Sequence, residues 1–387
     1  MSLHLRRRLK LMTGSLAARC VRRPRLTAAQ LTVLRPQRIL IVRQHNQMGD
    51  MVCATPSLRA IKETFPAAEL ALVTSPVNVE VVRHNPHLGR VFVFDRKSWR
   101  RPGEFLGFVR TLRNYRADLA FVLCSVSWSV TSAGIALASG ARHVVGAASL
   151  PFGLDISRHA FSLEMPSTPT LDRHAVDHSL APLEAVGITT ADRTTVVVPA
   201  SAEKERARSI ATGLGLAPGF WALHPGAGKE QNLWPADRFA EIARRAVAAG
   251  RQVLILHGPA DAGPLAAMQE SLGDLAAGPI RVAPSCPVGV GAALLQLADR
   301  FLCNDTGVMH MAGAVRAPTL ALFGPTDPAL WKPPAAEVVA LRSDARAADA
   351  RGREFGWMES IATDTVWQAW QGLTGRIPEK EAGSTWS

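Results

Sequence analysis

Short apolar runs, each followed by a turn and then by a segment of helical periodicity, recur along the chain and limit what it can fold into. They include Ile39-Leu40-Ile41-Val42, ELALVT (69–74), RVFVFD (90–95) and ADLAFVLC (117–124), and after residue 220 FWALHP, RQVLILHG, RFLCND and TLALFG. Uninterrupted runs of this length suit strands buried on both faces. Strands alternating with helices, such as GEFLGFVRTLRNY (103–115) with Phe105, Phe108, Val109 and Leu112 on one face, build a doubly wound parallel sheet. The alternation runs from 37 to 190, passes through ITTADRTTVVVPA (188–200), and restarts over 200–345. A length of 387 residues accommodates two such α/β domains. Ligands of these sheets bind at the carboxyl ends of the strands, and a cleft between the two domains is the expected active site. A last helix within 355–373 is expected to pack back on the N-terminal domain.

Charge narrows the function. The net charge is +12, and residues 1–49 hold no Asp or Glu but carry Arg6, Arg7, Arg8, Lys10 and further arginines up to Arg43. Leu5, Leu9, Met12 and Leu16 stand at helical spacing in that stretch, so the basic extension 1–36 reads as a solvated arm, an amphipathic helix on anionic lipid, or a transit segment. No apolar run reaches bilayer length and no signal-type apolar region follows the arginines. The five cysteines are scattered without a C-x-x-C pair, as expected in a reducing cytoplasm. His174 and His178 have a spacing seen in zinc sites, but no third ligand accompanies them; no metal is expected. Arg96, Lys97, Arg100 and Arg101 around Trp99 form a basic loop that is either solvated or suited to an anionic acceptor.

Two glycine-containing strand ends carry chemistry. In HPGAGK (224–229), Gly226 and Gly228 free the backbone to approach a ligand and Lys229 adds a cation, a combination suited to phosphate. In NDTGVMH (304–310), strand gives way to a helix opening at Thr306 and Gly307, whose first N–H groups lack intrahelical partners and would meet a diphosphate; Asp305 and His310 flank it. Asp305 or Thr306 could equally be helix caps. In the first domain, the run 39–42 breaks into a polar loop ending at Gly49-Asp50, before a helix expected over Met51–Phe65. Asp50 is there a candidate base or a cap.

The segments GDMVCATPSLRAIK, HPGAGKEQNLWPADRFAEIA, LILHGPAD and NDTGVMHMAGAVRAPTLALFGPTDP together resemble glycosyltransferase family 9, the ADP-heptose:lipopolysaccharide heptosyltransferases, across 38–371. That resemblance implies a GT-B fold of two Rossmann-like domains facing across a cleft, the acceptor held by the first and a nucleotide sugar by the second. It implies an inverting, metal-independent transfer with no cofactor. Carried over by position, it makes Asp50 the catalytic base, puts Gly49 and Arg43 on the acceptor side, and assigns Gly226, Gly228, Lys229, Asp305, Thr306, Gly307 and His310 to the donor, with Asp261 as a ribose contact. The chain departs from the family where members carry a lysine two residues before Trp-Pro: Asn232 stands there, before Trp234-Pro235, and Lys229 is the nearest lysine.

The chemistry agrees with the resemblance. Inverting transfer needs one base for the acceptor hydroxyl and charge stabilisation for the departing diphosphate, and no D-x-D is present to hold a divalent ion. The expected function is transfer of heptose or a related sugar from an ADP-linked donor to a lipopolysaccharide-type or other surface-glycan acceptor, in the cytoplasm or on the cytoplasmic face of the membrane. The expected partners are a nucleotide sugar, an anionic glycolipid and an anionic membrane surface, without nucleic acid. The competing reading is a non-enzymatic nucleotide or nucleic-acid binder, favoured by the charge; aromatics make up only 6% and no recognised nucleic-acid module is present. A dinucleotide-dependent oxidoreductase lacks its glycine fingerprint.

Overall fold

The computed structural model describes residues 23–44, 47–124, 126–273, 278–342, 347–348 and 354–375. The chain divides into two compact units between Arg193 and Thr194, inside the stretch 188–200. The expected lipid-binding arm lies largely outside the described residues. Among them no helix is long and apolar enough to cross a membrane.

The first unit is a parallel sheet of β1 (Arg38–Val42), β2 (Glu69–Thr74), β3 (Arg90–Val93), β4 (Leu119–Val122), β5 (His143–Ala147) and β6 (Leu163–Met165), in the order β3-β2-β1-β4-β5-β6. Its central strand is apolar on both faces because both are covered, and Ile39 to Val42 are fully buried. Val42 pairs in register with Val73 on one side and Val122 on the other. The second unit repeats the plan with β7 (Trp221–His224), β8 (Val253–Ile255), β9 (Ile280–Val282), β10 (Arg300–Asn304), β11 (Thr319–Phe323) and β12 (Val338–Arg342), ordered β12-β11-β10-β7-β8-β9. In each unit the chain runs outward from its first strand and then restarts on that strand's other side. The crevice thus lies at the carboxyl ends of β1 and β4, and of β7 and β10.

Two sequence expectations are corrected here. The helix expected over Met51–Phe65 starts earlier and is broken: Met48–Cys53 is one helix and Thr55–Thr64 another. Pro56 has no N–H to donate to the Val52 carbonyl, and the Thr55 hydroxyl donates to it at 2.7 Å instead. The last helix, Thr363–Gln371, was expected on the first unit, but its buried face belongs to the second. Val366 and Trp370 join the core of Trp221, Phe239 and Ile242. The Trp370 ring meets Trp221 edge-on at 4.6 Å between centroids, and Arg300 lies over Trp221 while donating to the Trp370 carbonyl at 2.9 Å. The tryptophans at this end are packing residues. The edge strand β6 is only three residues long, and β12, Val338–Arg342, comes a few residues after the Pro333-Pro334 break, which masks its short apolar run in the sequence pattern.

Candidate active site

In the first unit, the end of β1 leads into the helix Met48–Cys53. Its N-cap is Gln47, which makes no side-chain capping bond. Asp50 is therefore not the cap: it sits third in the helix, in the first turn, where unpaired N–H groups and the helix dipole favour a carboxylate. It is 9% exposed. Gly49 precedes it within the same turn. Arg43 is 2% exposed, and its Nη2 donates to the Asp50 main-chain oxygen at 3.0 Å. The guanidinium thereby braces the helix that carries Asp50. Burial pulls the Arg43 pKa down and the Asp50 charge opposes that pull. The nearby thiols of Cys53 and Cys124 are pushed up to about 12, chiefly by burial, so neither is a nucleophile at neutral pH.

In the second unit, β7 and β10 are neighbours, with Cys303 in register with His224. The loops 225–229 and 304–306 therefore start side by side. Asn304, fully buried, reaches across: its Nδ2 donates to the carbonyls of Pro225 at 2.9 Å and Gly226 at 3.2 Å, while its Oδ1 accepts from the Trp234 N–H at 3.2 Å. Asp261 approaches the same loop from after β8. One of its oxygens faces His224 Nε2 at 3.1 Å and accepts the Gly258 N–H at 2.6 Å. The other lies so close to Gly226 that a Cβ added there would stand 2.0 Å from it. Gly226 is thus required by close approach, whereas a Cβ on Gly228 would meet nothing within 4 Å. Burial alone would raise the Asp261 pKa, but the His224 and Gly258 contacts prevail and hold it below the usual carboxylate value. These contacts make Asp261 a support for the glycine loop.

Around Asp305 the departure from the family pattern takes physical form. Asn232 is buried, and its Nδ2 donates to Asp305 Oδ2 at 3.0 Å. An amide thus occupies the position of the family lysine and binds the neighbouring acid. Burial raises the Asp305 pKa; Thr326, the charge of Lys229 and Asn232 act against it. Lys229 is exposed and within electrostatic reach of this carboxylate. Thr306 is the N-cap of the helix Gly307–Ala314 but makes no side-chain capping bond. That helix's first amides point to the carboxyl edge of the sheet, where an anion is favoured. His310 is buried, its ring edge-on to Trp331 at 6.2 Å, so it forms part of the wall under this loop. His174 accepts from the Val176 N–H at 3.2 Å as the cap of Ala175–Glu184, and among the described residues no group of three or more His, Cys, Asp or Glu is arranged to hold a metal ion.

The structure thus gathers Gly226, Gly228, Lys229, Asp305, Thr306 and Gly307 at one crevice and places Asp50 at the matching crevice of the other unit. The sequence pattern missed Asn304, His224 and the partner of Asn232. Each is a polar residue at or just past the end of an apolar strand, which was the available signal.

Two Rossmann-like units with loaded crevices at their first and fourth strands define an α/β chain of the GT-B type. A glycosyltransferase family 9 protein from Veillonella parvula superposes with a TM-score of 0.73 at 20% identity, covering 87% of this chain and 97% of its own. The Escherichia coli ADP-heptose LPS heptosyltransferase II gives 0.70 at 19% identity, covering 87% and 98%. By sequence, the chain is 26% identical to lipopolysaccharide heptosyltransferase 3 of E. coli K12 over 74% of this chain and 82% of that protein. It is 27% identical to lipopolysaccharide heptosyltransferase 1 of Pseudomonas aeruginosa over 75% and 79%. The model of glycosyltransferase family 9 (heptosyltransferase) matches residues 105–355. The chain belongs to that family and is a glycosyltransferase.

Proposed function

We propose that the enzyme moves heptose, or a closely related sugar, from an ADP-linked donor to a lipopolysaccharide-type or other surface-glycan acceptor, with inversion and without a metal ion. Heptose and the lipopolysaccharide acceptor are supported by the names of the relatives, and the ADP link by the donor named for heptosyltransferase II. The observation that carries the reading is the second unit's crevice, where the 225–229 and 304–307 loops offer backbone N–H groups, a helix start and Lys229 to one anion.

In the reaction the acceptor hydroxyl oxygen forms a bond to the anomeric carbon while the bond to the diphosphate oxygen breaks on the opposite face. Asp50 takes the hydroxyl proton. The electron pair leaves with the diphosphate, whose growing charge is met by Lys229 and the backbone N–H groups. Arg96, Lys97 and Arg100 are exposed and make no ion pair among the described residues, which suits an anionic glycolipid at the cytoplasmic face of a membrane.

Thermal shift with ADP, GDP, UDP and CDP, each with and without chelator, tests this. At 100-fold its Kd a ligand adds about 2.7 kcal/mol. Stabilisation by ADP that ignores chelator is expected; stabilisation by another base alone, or only with metal, overturns the donor or the metal-free chemistry.

A further inference from the structure

Asn304 makes none of the contacts expected of the donor site, yet its position in the second sheet decides which way the glycine loop faces. It is fully buried at the end of β10, and one amide nitrogen holds two successive carbonyls, those of Pro225 and Gly226, at 2.9 and 3.2 Å. Among the described residues there are no cis peptide bonds. In a planar trans peptide the C=O and the following N–H point in opposite directions. Drawing the Pro225 and Gly226 oxygens toward Asn304 therefore turns the N–H groups of Gly226 and Ala227 away from it. Among the described residues neither N–H has a hydrogen-bond partner. Two successive N–H groups turned to one side form an anion-binding concavity.

The arrangement is held from two further sides. Oδ1 of Asn304 accepts from the Trp234 N–H, and the Trp234 indole donates to the Ile361 carbonyl at 3.0 Å, so the side-chain amide cannot rotate to offer oxygen where nitrogen is needed. Asp261 packs against Gly226 and stops the loop from settling downward.

We propose that Asn304 is a positioning residue for the donor diphosphate: it fixes the peptide groups of Pro225-Gly226 and Gly226-Ala227 so that two N–H groups are aimed at the phosphate oxygens before the donor arrives. The proposal rests on the donor-site reading above and adds to it the residue that orients the loop. Pre-aimed donors to a charged oxygen need no reorganisation on binding. Asn304 touches neither donor nor acceptor itself.

The test uses the full chain in two measurements. In amide NMR of the wild type, inorganic pyrophosphate and the stabilising nucleoside diphosphate are each expected to shift the Gly226 and Ala227 resonances and slow their exchange, while the matching nucleoside leaves them unmoved. In Asn304→Ala, affinity for the nucleoside diphosphate is expected to fall about 10–100-fold, the loss of alignment of two hydrogen bonds to a charged group, with nucleoside affinity unchanged. Wild-type amides at 226 and 227 that ignore pyrophosphate and the diphosphate overturn the role of Asn304, even if the variant fails to fold. An equal loss of nucleoside and diphosphate affinity in Asn304→Ala, with the chain folded, assigns Asn304 a merely structural role and overturns it as well. Failure of the wild type to bind any of ADP, GDP, UDP or CDP overturns the donor site itself, a distinct result.

Discussion

The two units share a strand order but use the same edge for opposite charges. After β1 the chain enters a helix within a few residues and presents a carboxylate, Asp50, in its first turn. After β7 it makes only a 3-10 turn at Glu230–Asn232 before the α-helix that begins at Ala236, and presents peptide N–H groups and Lys229. The supports differ in kind as well. Beneath Asp50 lies a buried cation, Arg43, bonded to a backbone oxygen; beneath the glycine loop lie a neutral amide, Asn304, and an acid paired with His224. On the roles proposed above, one topology supplies either a proton acceptor or an anion cradle, and the choice is made by where the first α-helix begins after the first strand.

The sharpest way to break this comparison is Asp50→Asn. Turnover should fall by about 10²–10⁴ while nucleotide affinity, which the proposed function places in the other unit, stays unchanged; near-normal turnover removes Asp50 as the base. Trp370→Ala should cost the second unit about 3–5 kcal/mol, visible as faster hydrogen exchange in peptides of 194–373 and not in those of 38–190. Gly226→Ala brings a methyl into the Asp261 carboxylate and should cost about 1–3 kcal/mol along with donor affinity, while Gly228→Ala, with open space, should stay within about 0.5 kcal/mol. Equal effects of the two glycine changes would show that the loop is not pinned.

The smallest effects are electrostatic and opposite in sign. Asp261 has a lowered pKa, so its stabilisation is complete above its unfolded value of about 3.9 and disappears as the pH falls through the folded value. Asp305 has a raised pKa; its favourable contribution exists below about pH 3.9 and is lost as the pH rises through the folded value, leaving a cost at neutrality. Melting at pH 7 should find Asp261→Asn destabilised and Asp305→Asn stabilised within about 1 kcal/mol, with both differences shrinking or reversing in acid. Two variants moving in the same direction would contradict the assignment.

Much of this was legible in the sequence because buried parallel strands write themselves as apolar runs. β1, β4, β7, β10 and β11, all interior strands, could be read directly, and with them the loops at their ends. What escaped was set by partners distant in sequence. Asn304 and Pro225 are 79 residues apart, and no spacing rule joins them. The break after Cys53 came from Pro56 and Thr55, while the start at Met48 rather than Met51 has no side-chain cap at Gln47 to announce it. The last helix was periodic enough to be recognised, but its amphipathic face could not name the sheet it would cover; that was decided by Trp221 and Arg300.

That last helix also sets an order of events. The first unit has all six of its strands once residue 165 has been made. The second cannot close its core around Trp221 until Val366 and Trp370 exist, and these follow all six strands of its sheet. As the chain leaves the ribosome, the first unit can be folded while the second still shows an unfinished apolar face, and transiently exposed surface of that kind is what aggregates and what chaperones cover.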